Sequence, residues 1–114
     1  MKIIVQYDRV SVPPILSLVV HDAPHRRMHV KVIQQYREFL RQACTKAGIV
    51  TPISEPIDLR VNFVNPASPD LDNLLTALYQ ALDGATLKGP GILSDDGMIQ
   101  KVTMVKYFNQ KPKK

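Results

Sequence analysis

The chain holds a single cysteine, Cys44, in 114 residues, so no internal disulfide staples the fold. That removes the usual mark of a small secreted scaffold, and a cytoplasmic setting is the default expectation. Long hydrophobic runs are also missing. The best two, "PPILSLVV" and "IDLRVNFV", are too short or too interrupted to cross a bilayer, and no membrane partner is expected. The opening residues are not read as a signal peptide, because Lys2 is followed by only a brief apolar patch before Gln6 and Asp8. "GATLKGPG" lacks the Gly-Lys-Ser/Thr ending of a phosphate-cradling loop. No serine or cysteine nucleophile stands in a recognisable constellation with a base. His21, His25 and His29 recur every four residues, but Pro24 breaks the helix that would stack them. With no cysteine or fourth ligand nearby, zinc is not expected there.

What is present describes one ordinary globular domain, with 45% hydrophobic and 22% charged residues. A net charge of +5 permits a polyanionic partner without requiring one. Distribution says more. Basic residues gather in "HRRMHVK", His25 to Lys31, and in the closing "KPKK", whereas two short stretches, 70–72 and 95–96, are acidic. A basic rim around an acidic spot suits a nuclease: the rim holds phosphates and the spot holds a metal ion. Residues 1–108 are read as the domain and 109–114 as a basic tail, expected to be disordered.

The expected architecture is a small α/β (α+β) domain of β-α-β-α-β order, a mixed sheet packed by two helices. "KIIVQY" (Lys2–Tyr7) reads as a strand from its β-branched and aromatic content. The next stretch carries Pro13, Pro14 and Pro24, which excludes a continuous helix, and "ILSLVV" within it reads as extended. From about Val30 to Ala47, Val32, Ile33, Tyr36, Leu40 and Ala43 recur at helical spacing, Phe39 widens that face, and Gly48 supplies a stop. In "IDLRVNFV" (Ile57–Val64) Ile57, Leu59, Val61 and Phe63 alternate with Asp58, Arg60 and Asn62, the pattern of a half-buried strand. A second helix is expected from about Asp70 to Leu82, with Gly84 past its end, and a closing strand from about Met98 to Phe108.

The chemistry is concentrated in "SPDLDNLL", Ser68 to Leu75. Leu71, Leu74, Leu75, Leu78 and Leu82 share one helix face and are core. Asp70 falls where an N-cap belongs, and Asp72 is favoured by the helix dipole, so this stretch alone is accounted for without any ligand. "LSDDG" two dozen residues later has turn composition, again sufficient by itself. Together the two read differently. If the helix and loop return the chain to the side where the helix began, three or four carboxylates converge, and such a set calls for a hard cation such as Mg²⁺.

"PDLDNLLTALYQALDG…GILSDDGMIQK" resembles the central signature of the RusA family of Holliday junction resolvases. The likeness covers residues 69 to about 101 by motif, and the rest by length and element order. It implies a homodimeric, Mg²⁺-dependent endodeoxyribonuclease, with Mn²⁺ as an alternative ion, that cuts paired strands of four-way DNA junctions in recombination and repair. By the same likeness Asp70, Asp72 and Asp96 are the catalytic, metal-holding carboxylates. Asp95 is their acidic neighbour, and Asn73 positions a carboxylate or a water. The sequence departs from the family at Thr76, where many members carry a lysine, and at Pro69, where some carry an arginine. Lys88 or Lys101 is the candidate to replace that lysine. Arg26, Arg27, Lys31 and Lys101, with His25 and His29, are the candidates for DNA backbone contacts. Two alternatives stay open: a branched-DNA-binding protein with weak or lost cleavage, and a Mg²⁺-dependent hydrolase of other DNA structures.

Overall fold

In the computed structural model the described residues are 1–24, 30–66, 70–83 and 91–107, with Asp96 described by its backbone alone. Strand β1 (Lys2–Asp8) turns through a loop held by its last residue: the Asp8 carboxylate accepts the amides of Val10 and Ser11 and the Ser11 hydroxyl. Strand β2 (Ile15–His21) then runs back antiparallel to β1. The extended reading of "ILSLVV" thus understated it. Prolines bracket this segment but none lies inside it, so its amides remain available to both neighbours.

From β2 onward the chain makes two parallel crossovers. Helix α1 (Val30–Lys46) carries it to β3 (Ile57–Val64), and helix α2 (Leu71–Leu82) carries it to β4 (Ile99–Tyr107). The sheet order is β1-β2-β3-β4, with β2, β3 and β4 parallel. Among the described residues only one sheet face is covered. Leu16, Leu18 and Val20 alternate with half-buried residues on β2, and Ile57, Leu59, Val61 and Phe63 alternate with half-buried residues and the exposed Arg60 on β3. This is the single-sided α+β domain that strand alternation implied, with both helices against the apolar face.

The helices show where periodicity was informative and where it was not. Ile33, Tyr36, Leu40 and Cys44 form the buried stripe of α1; Phe39, expected to widen it, is 43% exposed. Phe39 lies one residue from Leu40, on the flank of a stripe whose centre packs on the sheet and α2. Gly48 ends α1 as expected, at φ +75°, in a Schellman arrangement: its amide reaches the Thr45 carbonyl and the Ile49 amide reaches that of Cys44. On α2, Leu74, Leu78 and Leu82 are buried, and Leu71 and Leu75 pack at the margin of the core.

Helix α2 ends at Leu82 as expected, but the way it is closed was not legible. Its C-cap, Asp83, is extended, and the helix is closed by Arg37 of α1. The Arg37 guanidinium donates to the carbonyls of Gln80 (3.2 Å), Ala81 (2.9 Å) and Asp83. Gly84 and the tail 109–114 lie outside the described residues. No helix among the described residues is long and apolar enough to cross a membrane.

Candidate functional site

Parallel strands place a site at one end of a sheet. β2, β3 and β4 all finish on the same edge, where the β2 end at His21 faces the β3 end at Val64, and Val64 faces Tyr107 of β4. The chain turns there at Asp22 and Asn65, both at positive φ, and the Asp22 amide is held by the Val64 carbonyl and the Asn65 amide by that of Tyr107. Both helices start from this edge. In open α/β sheets the carboxyl ends of parallel strands are where ligands sit, because helix N-termini present unpaired amides there.

Asp70 is the N-cap of α2: its backbone is extended, and its Oδ1 accepts the Asp72 amide at 3.0 Å. Its own carbonyl takes the Leu74 amide, the first bond of the helix. Asp72 follows in the first turn, and both aspartates are exposed to solvent. Asn73 beside them is half-buried. Thr76, standing where a lysine was expected, turns its hydroxyl back to the Asp72 carbonyl at 2.8 Å, so that side chain is spent on the helix itself. The capping account of Asp70 is therefore correct. It leaves the pair of carboxylates displayed at the carboxyl edge of the sheet.

The second acidic cluster sits elsewhere. Leu93 bridges both Ile53 and Asp83, and the amides of Ile92 and Leu93 bond the Leu82 carbonyl, each at 3.0 Å. Ser94 is fastened to the same place by its amide on the Ile53 carbonyl and its hydroxyl against that of Ser54. Residues 92–94 are thus tied to the last turn of α2, not to its first. The helix between spans about 18 Å at 1.5 Å per residue. The expected return to the helix start is not made by this segment, for a topological reason. A crossover between parallel strands must deliver the chain to the amino end of β4, level with Ile57.

Asp95 then forms the expected turn, with its Oδ1 accepting the Gly97 amide at 2.7 Å and its carbonyl the Met98 amide at 3.2 Å. A Cβ at residue 97 would stand 2.7 Å from the same carboxylate oxygen, so a larger residue there would make the exposed Asp95 side chain shift and loosen this bond. Asp96 opens a short 3-10 turn (Asp96–Met98), and its side chain lies outside the described residues. Among the described residues no three His, Cys, Asp or Glu side chains group to hold a metal, so Asp95 does not join Asp70 and Asp72.

The basic candidates divide in the same way. Lys31 is exposed in the first turn of α1, at the edge that carries Asp70. Lys101 is exposed near the start of β4, opposite Asp58 and towards the other end of the sheet. His25, Arg26, Arg27 and His29, in the connection from β2 to α1, and Lys88 lie outside the described residues.

One arrangement had no sequence signal at all. A hollow of about 490 Å³ opens between the ends of β1 and α1 and the segment 50–55, lined by Tyr7, Arg9, Ile49 and Glu55 among others. Across it the Tyr7 hydroxyl donates to Glu55 Oε2 at 2.5 Å. Burial, reinforced by the Glu55 carboxylate, pushes the Tyr7 phenol up to about 12. The partners are 48 positions apart, and nothing in either local pattern marks them.

The fold and edge define a class: a single-sided α+β domain with an exposed aspartate pair at the carboxyl ends of parallel strands. No protein-family model matches the chain, and comparison with curated proteins and with solved structures gives no significant match.

Proposed function

We propose that this chain is a Mg²⁺-dependent endodeoxyribonuclease of the RusA type, acting as a homodimer on four-way DNA junctions. The observation that carries the reading is the exposed Asp70–Asp72 pair on the first turn of α2, at the edge where both helices begin. The Asp-Leu-Asp-Asn-Leu entry with its downstream Asp-Asp supports it.

The donor chemistry fits the ion. Mg²⁺ takes oxygen ligands and is held by one or two carboxylates together with substrate phosphates, so a pair is a sufficient protein contribution. Asp70 and Asp72 would hold it; Asp96, the third carboxylate that the resemblance implies, follows Asp95 on the segment tied to the other end of α2 and is not part of this pair. Bound there, Mg²⁺ would supply an activated water and neutralise charge on the scissile phosphate. The chain's own residues do the rest. The amides in the first turn of α2 attract the phosphate, and Asp70 fixes the start of that turn through the Asp72 amide. Lys31 lies at the same edge for a neighbouring phosphate, and with Arg26 and Arg27 would supply salt-sensitive affinity.

A second reading, a branched-DNA-binding protein that no longer cleaves, is favoured by one observation: Thr76 offers no cation to the reaction, and its hydroxyl is occupied by the Asp72 carbonyl. A third, a Mg²⁺-dependent hydrolase of other DNA structures, follows from the same carboxylates. One experiment separates them. Synthetic four-way junctions and linear duplexes are incubated with the wild type and with Asp72→Asn, with and without Mg²⁺. Paired, metal-dependent cuts in junctions that vanish in the variant are expected. Junction binding without cuts selects the second reading, and cutting of linear duplex at an equal rate selects the third.

A further inference from the structure

β1 is an edge strand, and among the described residues no strand pairs with its outer side. Edge strands are ordinarily blunted by proline, a bulge or a lysine within the strand, because a bare row of amides and carbonyls recruits another strand. Between Lys2 and Asp8 the strand reads IIVQY, with no charge and no proline, and its register with β2 is unbroken. Among the described residues no backbone hydrogen bond reaches its outer edge. β4, the other edge, is different: "IQKVTMVKY" carries Lys101 and Lys106 and no acidic residue.

Apolar surface gathers beside the bare edge. Ile4 is 46% exposed on the uncovered face of the sheet, and on the helical side Phe39 is 43% and Met1 37% exposed. Two hollows follow the strand between it and α1. One, of about 440 Å³, lies by Ile3, Phe39 and Ala43, and the other, of about 400 Å³, by Val5, Tyr7 and Ile49. A further strand laid along β1 would place its helix-side residues at these hollows, which is the mode of recognition by strand addition.

The charges select the occupant. If β1 meets a second β1 antiparallel about a two-fold axis through Val5, residues pair so that their numbers sum to ten. Lys2 then faces Asp8 of the partner subunit, and the reverse pair forms across the axis. On the helical side Ile3 meets Tyr7, an aliphatic–aromatic cross-strand pair, and Val5 meets its own copy. No other centre on this strand sets both charged ends against opposite charges. The same operation on β4 about Thr103 brings four lysines into one ladder with no acidic residue to offset them. We infer that a second copy of this chain pairs with β1 in this register, making one continuous eight-stranded sheet. The axis stands perpendicular to the sheet, so both helical layers lie on the same face.

The interface does not depend on the nuclease reading, and its test measures no cleavage. Sedimentation of the full chain at about 100 μM is expected to give a dimer, a concentration well above the micromolar range in which modest interfaces associate. Lys2→Glu sets two acidic pairs against each other, and Asp8→Lys sets two basic ones. Each is expected to weaken the dimer about tenfold or more, since each reverses two cross-strand charge pairs. Mixing the two variants restores both pairs at once, so the heterodimer should recover wild-type affinity. A monomeric wild type, variants that dimerise as tightly as the wild type, or a mixture that fails to recover each overturns the proposal. Asp8 also holds the turn at Val10 and Ser11. Should Asp8→Lys lose the fold, Lys2→Glu on its exposed side chain decides alone, and an unweakened dimer refutes the register.

Discussion

Replacing Arg37 by methionine tests how α2 is held in place. The side chain is 2% exposed, and its donors go to the carbonyls of Gln80, Ala81 and Asp83, at the end of a helix that lacks a described glycine cap. Two effects oppose each other. Burying a guanidinium is costly, and burial together with the nearby Arg41 already disfavours its charged form. Methionine keeps the length and apolar stem without that penalty. Against this, the acceptors are backbone carbonyls that no substitution removes, so the variant strands them in a packed interface. A charged hydrogen bond contributes ~1.5–3 kcal/mol, and the Gln80 carbonyl, beside an exposed side chain, regains water most easily. Counting the other two bonds and allowing for the relieved desolvation, the net loss is expected to be about 3 kcal/mol. For a chain of this size that lowers Tm by about 10–15 °C. Urea unfolding followed by circular dichroism measures it, and Arg37→Lys, which keeps the charge but loses the planar fork, should fall between. A variant within about 1 kcal/mol of the wild type would refute the reasoning, because desolvation would then equal everything the clamp contributes.

Two further outcomes are expected. Asp70 has a structural role and a proposed chemical one, and two substitutions separate them. Asp70→Asn keeps a capping side chain and should leave stability within a few tenths of a kcal/mol while removing metal-dependent junction cutting; Asp70→Ala should lose about 1 kcal/mol in addition, read by urea unfolding. Tyr7 holds its proton in the folded chain to about 12, above its value of 10.0 in the absence of the fold. Its contribution to stability is therefore intact below pH 10 and lost as pH rises from there to about 12, since the unfolded chain gives up the proton first. Absorbance titration should show the Tyr7 transition moving down in Glu55→Gln yet staying above the ordinary value, because burial is the larger cause. An unmoved transition would dissociate Glu55 from the shift.

Much of this protein is decided by its sequence alone. Alternation in "IDLRVNFV" determines a one-sided strand, because successive side chains must point to opposite faces. Leucines at helical spacing determine α2 and its buried face, Asp70 determines where that helix starts, and Gly48 where α1 stops, since these depend on contacts within a turn or two. The composition of "SDDG" likewise determines a turn. Tertiary structure decided whatever depends on distance between turns. It made "ILSLVV" a central strand, which required two partners from elsewhere in the chain. It closed α2 with an arginine from α1, 43 to 46 residues away. And it set the Asp95 turn against the far end of the helix that Asp70 begins. The residues between "DLDN" and "SDDG" specify a helix, but which end of it the second cluster returns to depends on the strand beyond being parallel to the strand before. That direction is set by packing against the whole sheet, and no local pattern records it.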